Sequence, residues 1–227
     1  MASDAPPPQR DAWLAGPPPA DPLPSLAGWL AEARSAAGLA NPDAMALATA
    51  GADGRPSARI VLCRALDRER GFLVFYTNRR SHKGRALAER PWAAGVFHWD
   101  ALGRQARVEG PVTPASDEDS DAYFETRPRE SQIAAWASAQ GEPVASRGAL
   151  LARFASEAIR FGGVRDPNAP PVPRPPHWSG YRLWAERVEL WASRPARLHD
   201  RVLWTRELTP GGDGFGAGPW RAQRLQP

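Results

Sequence analysis

The sequence predicts an α+β domain: an antiparallel β-barrel with helices packed around it. Three observations predict it. Short apolar runs separated by turn residues fill the first half of the chain. Helical patterns are inserted after them, and strand patterns return at the end. At 227 residues the chain is long enough to bury one substantial core.

The elements follow in order. Eight prolines fall between Met1 and Pro24, so residues 1–24 are expected to be extended or disordered, and residues 25–227 to form a single domain. Leu26, Trp29, Leu30 and Ala33 lie on one helical face from Ser25, with Gly38 placed to end the helix. The runs at 44–50, 56–66 and 72–78 read as strands of antiparallel hairpins, the first two joined by "GADG" and the next turn bracketed by Asp67 and Gly71. Ser81 opens a short helix ended by Pro91, and strands at 92–99 and 104–113 follow. Ser116 with acids after it starts another helix, and further helical patterns run over 129–140 and 146–161. A second proline-rich connector, "DPNAPPVPRPPH", leads to the final strands in "GYRLWAERVELW", "RVLWTREL" and "WRAQRL". No segment repeats.

Composition excludes several classes. The net charge is +4, yet 29 basic residues are interspersed with 25 acidic ones, which argues against a nucleic-acid stripe. One cysteine and four histidines leave no disulfide framework and no expected metal site. No apolar run approaches bilayer length and the start lacks a signal-peptide core, so the expected location is the cytoplasm. Ten tryptophans point to a large core, a subunit interface or a ring-binding pocket. Walker, G-x-G-x-x-G, H-E-x-x-H and G-x-S-x-G motifs are absent.

Four cationic stretches remain: Arg59 and Arg64 around "IVLC"; "YTNRRSHK" (76–83), where a strand feeds a helix start able to hold phosphate; "YFETRPRESQ" (123–132); and "RLHDR" (197–201). Tyr123, Arg127 and Ser131 share a helix face only if the helix continues, and Pro128 predicts a break. On strand alternation Arg197 and His199 point to one side, with Leu198 and Asp200 on the other. Each stretch alone reads equally well as capping or solvation.

In sequence order, however, "RIVLCR", "GFLVFYTNRRSHKGRAL", "RPRESQIAAWAS", "WSGYRL", "VELW", "RLHDR" and the terminal "RLQP" resemble the pyridoxine/pyridoxamine 5'-phosphate oxidase family from about Asp21 to Pro227. The resemblance implies a split-barrel homodimer that binds FMN and oxidises pyridoxine or pyridoxamine 5'-phosphate with O₂ as electron acceptor, without a metal. By matched positions, Arg59, Ile60, Val61, Leu62, Arg64, Tyr76, Thr77, His82, Lys83, Gln105, Gln140, Trp191 and Arg201 would contact FMN. Arg64, Tyr123, Arg127 and Ser131 would hold the substrate phosphate, and Arg197 and His199 would lie over the substrate ring as the catalytic pair. Arg64 stands where the family usually has lysine, and His82 where it usually has arginine. Two other readings stay open: a phenazine-biosynthesis type of flavin oxidase acting on a larger aromatic substrate, and a non-catalytic flavin-binding split barrel. The intact Tyr123, Arg127 and Ser131 set favours a phosphorylated substrate over the first, and Arg197 with His199 argues against the second.

Overall fold

The computed structural model describes Leu14 and residues 16–227. Helix α1 spans Leu23–Ser35, two residues earlier than the periodicity predicts, because Asp21 accepts the Leu23 amide at 2.9 Å and Pro24 fits the first turn. Then come β1 (Ala44–Ala50), β2 (Pro56–Asp67) and β3 (Phe72–Asn78), α2 (His82–Glu89), and β4 (Trp92–Trp99) and β5 (Arg104–Pro114). Helices α3 (Asp117–Glu125), α4 (Arg129–Ala137) and α5 (Arg147–Arg160) follow as one block. The chain closes with β6 (Trp178–Trp184), β7 (Arg187–Ala192), β8 (Asp200–Thr205), β9 (Leu208–Gly211), β10 (Gly214–Ala217) and β11 (Arg221–Arg224).

All strand pairings are antiparallel, and the nine-stranded sheet runs β11-β8-β7-β5-β4-β1-β2-β3-β6, with β6 returning to β5. Six strands thus close a barrel, and β7, β8 and β11 branch from it. The branch lies on β5. Its first part, Arg104 to Glu109, pairs with β7, and its last part, Val112 to Pro114, pairs with β6. Gly110 sits at the fork, where a Cβ would lie 2.0 Å from the Trp184 carbonyl oxygen, so only glycine allows the strands to separate there.

Alternation fills the barrel. Met45, Leu47, Cys63, Phe75, Phe97 and Trp99 point inward, and Trp29 and Leu30 of α1 cover one end. Arg104 fastens that helix: it bonds Glu32 at 2.8 Å with its guanidinium 4.9 Å from the Trp29 ring. A second cluster of Phe124, Ile133, Phe161, Val172 and Trp178 lies under α3–α5. Each large apolar side chain so buried contributes roughly 1.5–3 kcal/mol.

Three expectations change. Of the proline-rich segment expected to be extended or disordered over 1–24, residues 1–13 and 15 lie outside the described residues. From residue 16 onward the segment is docked rather than disordered. Prolines keep their carbonyls, and the Pro19 and Leu14 oxygens accept bonds of 2.8 Å from Trp204 and Arg224. The strand expected in "RLHDR" begins only at Asp200; residues 195–197 form a tight helical turn instead. Beyond β8 a separate β9–β10 hairpin appears, with Phe215 packed on Trp184. Among the described residues, no helix is long and apolar enough to cross a membrane.

Candidate active site

A cavity of about 300 Å³ opens between β2, β3, the α3–α4 link and the segment after α4. Leu62, Arg64, Tyr76, Thr77, Tyr123, Arg127, Gln140 and Trp178 are among its walls. A bulge between Cys63 and Ala65 shifts the register of β2 against β3, freeing Arg64 from the ladder. Its guanidinium lies 5.9 Å from the Tyr123 ring, and Tyr123 stacks on Tyr76 at 4.0 Å. As expected, Pro128 ends the continuity of the helix, and it stands at the N-cap of α4. Tyr123 and Arg127 therefore meet on the cavity wall, whereas Ser131, in the first turn of α4, does not line it. Arg127 Nη1 is buried without a hydrogen-bond partner. Burial, with the neighbouring Arg64, pushes the Arg127 pKa down against the pull of Tyr123.

A second cationic pair lies behind Gln140. Lys83 Nζ donates to Gln140 Oε1 at 2.7 Å and to Ser81 Oγ at 3.1 Å, and Thr77 Oγ1 donates to the same Gln140 oxygen at 3.1 Å. Ser81 caps α2, so the positive end of that helix adjoins Lys83. Burial, and then the charge of Arg59, bring the Lys83 pKa down to about 8. Arg59 donates to Leu47 O, Thr49 Oγ1 and Ser57 Oγ. Among the described residues, no carboxylate is hydrogen-bonded or ion-paired with Arg59, Lys83, Arg64 or Arg127. Two pairs of like charges held together without an acid suit two dianions, such as phosphate groups. His82 turns elsewhere: it is exposed and lines a separate small cleft with Asp53 and Glu89. Ile60 faces solvent, and Val61 points into the core.

The third group lies on the sheet extension. Gln105 pairs with Trp191, and Trp191 with Arg201, so the three form one row across β5, β7 and β8. Arg201 is held by the buried Glu189 at 2.8–2.9 Å and by the Gln226 carbonyl. The Trp191 ring lies 4.6 Å from that of His199. The Arg194 amide donates to His199 Nδ1 at 3.1 Å, which leaves the proton of the neutral imidazole on Nε2, facing away from that bond. Ala196 and Arg197 take positive φ angles of 55° and 61°, the left-handed region that non-glycine residues avoid. Strand alternation therefore does not place Arg197 beside His199; a strained turn projects Arg197 into solvent. None of Gln105, Trp191, Arg197, His199 and Arg201 lines the cavity.

Asn78, Ala134, Ala135, Ser138 and Trp178 are wall residues that reading the sequence missed, and Trp178 is the largest of them. Its signal was present, an aromatic opening a strand after a proline-rich connector, but a tryptophan there reads first as core.

Comparison with known proteins bears on this arrangement. A family profile described as pyridoxamine 5'-phosphate oxidase matches residues 31–160, and one described as the pyridoxine 5'-phosphate oxidase C-terminal dimerisation region matches residues 178–227. The chain is 51% identical over 207 residues to a Rubrobacter xylanophilus protein named pyridoxine/pyridoxamine 5'-phosphate oxidase, covering 91% of this chain and 87% of that one. It is 46% identical over 209 residues to a Myxococcus xanthus protein of the same name, with 92% and 93% coverage. Among solved structures, PhzG of Burkholderia lata in complex with tetrahydrophenazine-1-carboxylic acid superposes with a TM-score of 0.81 at 33% identity, covering 100% of both chains. A pyridoxamine 5'-phosphate oxidase-related, FMN-binding protein of Nostoc punctiforme shares the fold, with a TM-score of 0.64 at 21% identity over 90% of this chain and 96% of that one.

Proposed function

The chain belongs to the pyridoxamine 5'-phosphate oxidase family, and we propose that it oxidises pyridoxamine or pyridoxine 5'-phosphate to pyridoxal 5'-phosphate, using FMN and O₂. The observation that carries this reading is the presence of two acid-free cationic pairs, Arg64 with Arg127 on the cavity wall and Arg59 with Lys83 behind its Gln140, since a phosphorylated substrate and a phosphorylated flavin bring two dianions.

In this reading Arg59, Lys83, Thr77 and the start of α2 hold the FMN phosphate, and Gln140 orients Lys83. Arg64, Tyr123 and Arg127 hold the substrate phosphate, while Ser131 stands off the wall in the first turn of α4. Bound FMN would accept the hydride from the substrate C4' carbon and pass the electrons to O₂. The protein's own part is orientation. Trp191, Arg197, His199 and Arg201 all fall in the stretch that matches the dimerisation region, and none lines the cavity of its own chain. A homodimer would let these residues of one copy close the cavity of the other. His199, with Nδ1 already accepting a hydrogen bond, offers an Nε2 donor to the substrate rather than a base.

A phenazine-type substrate such as the one bound by the Burkholderia lata protein is a monocarboxylate, and a single negative charge neutralises only part of the Arg64–Arg127 pair. The decisive experiment is anaerobic addition of pyridoxamine 5'-phosphate to the purified, flavin-loaded protein. Bleaching of the visible flavin band is expected, with recovery of colour on admitting O₂. A flavin band that persists through a long anaerobic incubation rejects the proposed activity.

A further inference from the structure

Arg127 sits where no regular element fixes a side chain, in the link between the last residue of α3 and Pro128 at the start of α4. Among the described residues no carboxylate anchors it, and its buried Nη1 has no acceptor. Two rings hold it instead. Its guanidinium carbon is 4.9 Å from the Trp178 ring and 5.4 Å from that of Phe124. Phe124 meets Trp178 edge-on at 5.1 Å, so the two rings make a corner around the cation.

Trp178 is itself rigidly placed. It begins β6 opposite Asn78, and its carbonyl accepts from Arg174 at 2.7 Å. Its ring is nearly parallel to Tyr76, at 5.2 Å and 7°, and to Tyr123, at 6.1 Å and 4°. The aromatic wall that carries Arg127 is thus the wall that carries Tyr123.

The mode of holding matters chemically. An ion pair occupies the N–H edge of a guanidinium, where its donors lie, whereas a ring engages the flat face and leaves the donors free. We infer that Trp178 is a positioning residue for substrate: it presents Arg127, with donors unused, to the phosphate of the incoming substrate. This inference rests on the phosphate reading of the cavity given above. Its consequence is pre-organisation, which lowers KM without touching the reacting carbon, because the phosphate is gripped alike in ground and transition states.

The test uses flavin-loaded full-length protein, pyridoxamine 5'-phosphate as substrate and inorganic phosphate as competitive inhibitor. Variants Trp178→Phe and Trp178→Leu are made alone and in an Arg127→Ala background. Trp178→Leu is expected to raise KM and the phosphate inhibition constant together by about tenfold, the scale of a desolvated cation–π contact. Trp178→Phe should recover most of the loss, and kcat should stay within about twofold in both. In the Arg127→Ala background the same changes should have no further effect, an outcome a merely structural tryptophan cannot give. An unchanged KM, a fall in kcat of the same size, or an equal penalty with Arg127 absent overturns the inference. Should Trp178→Leu fail to fold, Trp178→Phe decides alone: a severalfold KM increase that vanishes in the Arg127→Ala background supports it, and anything else rejects it. Arg127→Ala separates the two levels. If that variant keeps its KM, the phosphate reading fails; if its KM rises while the Trp178 variants behave as wild type, only the role of Trp178 fails.

Discussion

Burial and the adjacent Arg59 depress the Lys83 ammonium to about 8, while the unfolded chain keeps that proton up to the ordinary lysine range. Between those values the unfolded state binds more protons, so flavin-free protein should gain stability as pH rises from about 8 toward that range. Anion binding runs the other way. A phosphate at Lys83 favours the charged form, so FMN affinity should fall as pH climbs through 8 and beyond, by up to tenfold per pH unit for one linked proton. The phosphate's own second ionisation lies near 6 and does not interfere. Flavin-fluorescence titration between pH 7 and 9 checks this, and Lys83→Met should flatten the profile at low affinity. A wild-type affinity independent of pH over that range removes Lys83 from the phosphate site. Arg197 belongs to the same scale. Its truncation to alanine should lower kcat/KM roughly 10²-fold while FMN content survives, since orientation over a flavin is worth several kcal/mol. His199→Asn should cost less, because His199 serves as a donor already fixed by the Arg194 amide. Normal turnover by flavin-loaded Arg197→Ala protein would put "RLHDR" in solvent.

At the scale of elements, the fork in β5 decides where the barrel closes and where the extension leaves it. Gly110 makes the fork possible, and a methyl group there meets the Trp184 carbonyl at 2.0 Å. Gly110→Ala should therefore destabilise the protein by about 3 kcal/mol or more, because the obstacle is backbone that cannot swing aside. A urea midpoint equal to wild type would show that β5 and β6 separate without glycine. The turn at 195–197 makes the complementary point. Alternation of residues predicts a strand through His199, yet Pro195 and two left-handed residues replace it by a turn. The Arg194–Asp200 pair at 2.6 Å and the bond to His199 Nδ1 close that turn from both sides. Such closure is invisible to periodicity, since it depends on contacts between particular side chains.

At the scale of the whole molecule, one copy contains a cavity with one cationic pair on its wall and a second behind Gln140 and, elsewhere on the same chain, a row of Gln105, Trp191 and Arg201 beside His199. Residues 178–227, which hold Trp191, His199 and Arg201, match a dimerisation region. The protein should sediment as a dimer, and FMN should be released in step with dissociation on dilution. Monomers that retain FMN at high dilution would show that the row on the sheet extension plays no part in flavin binding.

The sequence by itself determined the class of fold, the placement of nearly every strand and helix, and the family. Periodicity, caps such as Ser81 and Ser116, and breakers such as Pro128 act over a few residues and are legible locally. It also named most of the cavity, because Arg64, Tyr76, Thr77, Tyr123, Arg127 and Gln140 match family positions in order. Tertiary structure alone decided which of those residues meet. It turned His82 to another cleft, brought Trp178 under Arg127, and docked the proline-rich segment through its carbonyls. The physical reason is common to all three. Each depends on approach between residues far apart in the chain, set by barrel closure and ring packing, and no local pattern carries that information.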